Sequence, residues 1–74
     1  MAPHPHKKEV SADPQAELHQ FGAFAKAVAE AAMDAAGTIT EDTFYKIDEI
    51  FIKVSPNPGP KTYTVVIKPV PPPV

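Results

Sequence analysis

Apolar positions between Asp13 and Gly37 recur at three- and four-residue steps. Leu18, Phe21, Phe24, Ala25, Val28, Ala31, Ala32 and Ala35 fall on one face of a helix with about 3.6 residues per turn, and Lys26, Glu30 and Asp34 lie opposite. Asp13 followed by Pro14 supplies an N-cap oxygen and a first-turn residue that loses no hydrogen bond, while Gly37 is the matching stop. The pattern predicts a helix over residues 14–36. Its apolar face is bulky at the start and nearly all alanine at the end. Ala23, Ala27, Ala29 and Ala36 widen the arc until little of the surface is decisively polar. A helix packed on more than one side has this composition.

Residues 44–54, FYKIDEIFIKV, fit two periods. As a strand they place Phe44, Ile50, Ile52 and Val54 on one side and Tyr45, Ile47 and Phe51 on the other. As a helix, Phe44, Ile47, Phe51 and Val54 share a face, which leaves residues 40–48 open between helix and strand. Their β-branched and aromatic content favours the strand. Residues 61–68, KTYTVVIK, alternate more plainly, with Tyr63, Val65 and Ile67 against Thr62, Thr64 and Val66. The linker SPNPGP places Pro58 and Gly59 at the centre of a type II turn, so the two strands form an antiparallel hairpin. Residues 1–12 are polar and aperiodic and are expected to be a flexible arm. Residues 69–74 are expected to be a polyproline tail. The predicted fold is α+β: a long Ala-rich amphipathic helix packed on a hairpin, in one domain of residues 13–68.

Composition bears on how such a unit is completed. The chain has 74 residues, ten of them proline, with no cysteine and a formal charge of −2. At this size folding buries only about 60 % of the surface exposed by the unfolded chain. Without cysteine, neither disulfides nor thiolate zinc sites supply the difference, so association with a homo-oligomeric or other protein partner is expected. Seven lysines and no arginine stand against nine acidic residues, which argues against nucleic-acid binding. Glu17, Lys26, Glu30 and Asp34 interrupt the alanine-rich stretch and argue against a membrane span. Lys7 and Lys8 precede polar residues rather than an apolar signal core, so a cytoplasmic location is expected.

Catalytic chemistry has few candidates. Ser11 and Ser55 sit beside a cap and in a turn, and neither occupies a nucleophile elbow. Asp48 and Glu49 would point to opposite faces of a strand, and His19 lies beside Gln20 on the polar side of the helix. No catalytic constellation emerges, and the chain is not expected to be an enzyme; His19 with Asp48 or Glu49 is the residual alternative. After removal of Met1 the chain begins APHPH, but Pro3 lacks the amide that an amino-terminal copper chelate requires. His4 and His6 alone fall short of the three or four ligands of a specific site, so no metal is expected. The tail KPVPPPV lacks the flanking basic and tyrosine residues of ligands for proline-recognising domains. It reads as a strand terminator and stiff spacer, or as a segment packed along a neighbouring subunit.

The order of elements, with AKAVAEAA at residues 25–32 and TFYKIDEIFIKV at residues 43–54, resembles the dodecins, small flavin-storage proteins that assemble as hollow twelve-subunit shells. Dodecins also have a strand before the helix, a place occupied here by MAPHPHKKEV. They stack flavin on a tryptophan, for which Phe44 or Tyr45 would substitute. Two functions follow as expectations. One is a non-catalytic structural or interaction subunit that self-associates or docks on a larger partner through its hairpin and its helix face, with Phe21, Phe24, Val28 and Ala32 at the interface. The other, implied by the resemblance, is a carrier binding a planar ligand such as flavin between subunits, with Phe44, Tyr45 or Tyr63 stacking on it.

Overall fold

The computed structural model describes residues 2–12, 17–56 and 59–73, apart from the side chains of residues 17–21. Four elements follow in the order β1 (His6–Ala12), α1 (Glu17–Ala36), β2 (Phe44–Val54) and β3 (Lys61–Val70). The strands form one antiparallel sheet in the order β1-β3-β2. The α+β class and the antiparallel β2–β3 pair agree with the sequence reading. Residues 40–43 are not helical, which settles residues 44–48 as strand.

Residues 6–12 correct the expected flexible arm. They form β1, a strand that precedes the helix. β3 has two edges of backbone N–H and C=O groups, and β2 satisfies one. The other pairs with β1 in a register running from His6–Ile67 to Ala12–Lys61. The half-buried or buried positions of β1 are His6, Lys8, Val10 and Ala12, alternating with exposed Lys7, Glu9 and Ser11. Two of the inward side chains are polar, which is why the alternation is faint in the sequence. Across the pair, Ser11 Oγ and Thr62 Oγ1 are hydrogen-bonded at 3.0 Å. β3 also runs two residues into the expected tail. Pro69 lies beyond the last β1 pair, where β3 has only β2 beside it, and proline is tolerated at such an edge.

The helix ends as expected at Gly37. Its N–H donates to the carbonyls of Met33 (3.3 Å) and Asp34 (3.2 Å), and the Thr38 N–H and hydroxyl both donate to the Ala35 carbonyl, at 2.9 and 2.8 Å. The Asp13–Pro14 start lies outside the described residues. The buried face is rotated from the expected one: Ala23, Ala27, Ala31 and Ala35 are buried, whereas Ala25 and Ala32 are exposed. Small side chains four residues apart let α1 settle close to the sheet, while the bulkier Phe24 and Val28 pack at the margin. The core is Ala27, Ala31, Ala35, Val65 and Ile67.

The type II turn falls partly on residues 57 and 58, outside the described residues. Gly59 is buried, and a Cβ built on it would overlap the Pro56 carbonyl oxygen and lie 2.9 Å from Ser55 Cβ. Close backbone approach therefore requires glycine at this position.

Candidate functional site: an uncovered strand face and the cavity at its end

β2 carries a bulge at Asp48 that decides which side chains share a face. Tyr45 pairs with Pro69 and Ile47 with Ile67; beyond the bulge Glu49 pairs with Val66, Ile50 with Val65, Ile52 with Tyr63 and Val54 with Lys61. Directly opposed residues point to the same side of a sheet. Tyr45, Ile47, Ile50, Ile52 and Val54 therefore all lie on the helix side, with the core residues Val65 and Ile67. The expected grouping of Phe44 with Ile50, Ile52 and Val54 is corrected: one inserted residue reverses the phase of the strand. Phe44, Lys46, Glu49, Phe51 and Lys53 occupy the opposite face. Lys68 Nζ lies 3.1 Å from Asp48 Oδ1, an ion pair that holds the bulged residue.

The helix leaves most of this strand uncovered. Among the described residues α1 packs on β1 and β3 and comes no closer than 8 Å, Cα to Cα, to β2, which meets the core through the Tyr45 side chain at one end. On the helix side of β2, Ile50 is 47 % exposed, Ile52 57 % and Val54 70 %. The result is an apolar stripe without a charge, open to water along most of the strand.

At the Tyr45 end the stripe runs into a cavity of about 470 Å³, lined by Ala32, Ala35 and Ala36 of the helix, Ile39 of the following link, and Phe44 and Tyr45 of β2. This lies within the range of about 300–1,000 Å³ usual for small-ligand pockets. Tyr45 is fixed from behind. Its hydroxyl donates to the His4 carbonyl at 3.3 Å, and the His6 ring lies 6.1 Å away between Tyr45 and His4. Thr38 Oγ1 approaches His6 Nε2 at 3.5 Å, so the segment before β1 helps build this end of the molecule.

Of the expected ligand-stacking residues, Phe44 and Tyr45 come together in the cavity. Tyr63 instead packs edge-to-face on Phe24, with ring centroids 6.5 Å apart. Among the expected interface residues, Phe24 and Val28 pack at the edge of the core and Ala32 lines the cavity. The Phe21 and His19 side chains lie outside the described residues. Sequence reasoning missed Ile39 and the common face of Ile47, Ile50 and Ile52. The three-residue step from Ile47 to Ile50 within an otherwise two-residue pattern was the available signal of the bulge.

Away from the stripe, Lys8 Nζ lies 2.9 Å from Asp34 Oδ2 and ties β1 to α1. The hydrogen bond and charge of Asp34 raise the Lys8 pKa above its ordinary value, against a smaller opposing effect of desolvation. Among the described residues, no three histidine, aspartate or glutamate side chains gather in a way that would hold a metal ion. No described helix is long and apolar enough to cross a membrane.

The fold and site thus define a small βαββ unit with an open apolar face on its edge strand. The chain matches no known protein family, no curated protein and no solved structure.

Proposed function

We propose that this protein is a non-catalytic structural or interaction subunit that is completed by self-association, and that the helix-side face of β2 is the surface that a second copy covers. The observation that carries this reading is the bare stripe of Ile47, Ile50, Ile52 and Val54. The molecule exposes 5370 Å², whereas a compact monomer of its 8.0 kDa mass exposes about 4,500 Å². The excess is on the order of the ~800 Å² that each partner buries in a standard interface. A second copy is favoured over a different protein because the stripe offers no charge pattern by which to select a foreign surface. An apolar face satisfies its own kind equally well.

The test is native mass at micromolar concentration, for the wild type and for a variant carrying Ile50→Lys and Ile52→Lys. Both positions are exposed in the single subunit, so the substitutions leave its core intact. An assembled wild type and a monomeric variant are expected; a monomeric wild type, or a variant that stays assembled, overturns the proposal. A carrier function would have to use the cavity at Phe44 and Tyr45. Flavin fluorescence unaltered by added protein removes the flavin version.

A further inference from the structure

The cavity opens at the end of the molecule where the proline segment leaves the sheet. Pro69 pairs with Tyr45 and Val70 with Phe44, so residues 71–73 begin beside the cavity's aromatic wall. They are exposed, and none of them lines the cavity. Residues 69–74, PVPPPV, contain no polar side chain. Successive prolines hold an extended left-handed helix rising about 3.1 Å per residue, too stiff to reverse direction within three residues. Residues 71–73 are too few and too stiff to fold back into the cavity of their own subunit, and none of them lines it. An apolar rod with little conformational entropy to lose and a largely apolar cavity with Tyr45 and Phe44 in its lining resemble the two halves of polyproline recognition. A carboxylate residue, Asp42, is part of the cavity lining and further disfavours an anionic ligand there.

We propose that the cavity at Tyr45 receives residues 71–73 of a second copy, so that each subunit donates one proline segment and accepts another. This rests on the self-association proposed above, which brings a neighbour's segment to high local concentration. The structure explains the choice of occupant: donor and receptor lie at the same end of one chain in equal number, and each is left open in the single subunit.

The absence of cysteine makes disulfide trapping clean. Chains carrying Ala36→Cys, at the cavity wall, are mixed with chains carrying Pro72→Cys and oxidised. As a control, chains carrying Lys26→Cys, on the exposed helix surface, replace the cavity variant. A mixed disulfide requires Cα atoms within about 7 Å, so Ala36→Cys is expected to trap Pro72→Cys several-fold more than the control does. Equal trapping at both positions, or pairing of Pro72→Cys only with itself, overturns the inference. So does a small molecule retained in the assembled protein while the segment stays untrapped. Native mass of the wild type separates the two proposals: an assembly without trapping removes only the proline contact, whereas a monomer removes the β2 interface and this contact with it.

Discussion

Two glycines show how differently one residue type can be constrained. Gly22 is an exposed helical residue, and a Cβ built on it meets nothing within 4 Å. Glycine inside a helix costs about 1 kcal/mol relative to alanine, so Gly22→Ala is expected to stabilise the protein by about that amount. Gly59 is the reverse. Its added Cβ would collide with the Pro56 carbonyl, a backbone atom that cannot rotate away, and Gly59→Ala is expected to destabilise by more than about 1 kcal/mol. Urea unfolding followed by circular dichroism distinguishes the two; a shift of the same sign for both would contradict the local geometry. The helical glycine is recognisable from periodicity. The demand at Gly59 is not, because it comes from where the preceding proline places its carbonyl.

Among the elements, those written in apolar periodicity were legible and those written in pairing were not. Helix α1, its end at Gly37 and the β2–β3 pair all follow from side-chain patterns. β1 does not, because Lys8 and His6 occupy inward positions and its pairing depends on the free edge of β3. Of the site, Phe44, Tyr45 and Ala32 were legible as candidates. The stripe was hidden by the Asp48 bulge, which regroups Tyr45 and Ile47 with Ile50, Ile52 and Val54. The rotation of α1 onto its smallest residues likewise reflects how closely helix and sheet can approach, which hydrophobicity alone does not encode. The tie between β1 and α1 has a pH signature. Because the folded state raises the Lys8 pKa, it holds that proton more tightly than the unfolded chain does. The stabilisation is complete below the unfolded lysine value of about 10.4 and is lost as pH rises through the higher folded value. Between neutral pH and pH about 11, the wild type is expected to lose more stability than Lys8→Met. Equal losses would show that the Lys8–Asp34 pair does not couple the elements.

At the scale of the whole molecule, the quantity to explain is an incomplete interior. Among the described side chains, the largest that is fully buried is Val65, and the core beside it is mostly alanine. The radius of gyration is 14.1 Å and the extents are 43 × 20 × 19 Å, against about 11 Å expected for the gyration radius of a compact chain of this length. A single subunit therefore has a long sheet half covered by one helix, with few large apolar groups buried among the described residues. When the covering surface belongs to another copy, folding and assembly are linked by mass action, and the apparent stability must rise with protein concentration. The thermal midpoint of the wild type is accordingly expected to fall progressively on dilution from high to low micromolar concentration. In the Ile50→Lys, Ile52→Lys variant the midpoint should be lower and independent of concentration, since the residues changed lie on the uncovered face of β2, outside the core of the lone subunit. A wild-type midpoint that does not move with concentration would mean that the five-residue core of one chain suffices, and that the bare face of β2 is not where this protein finds its stability.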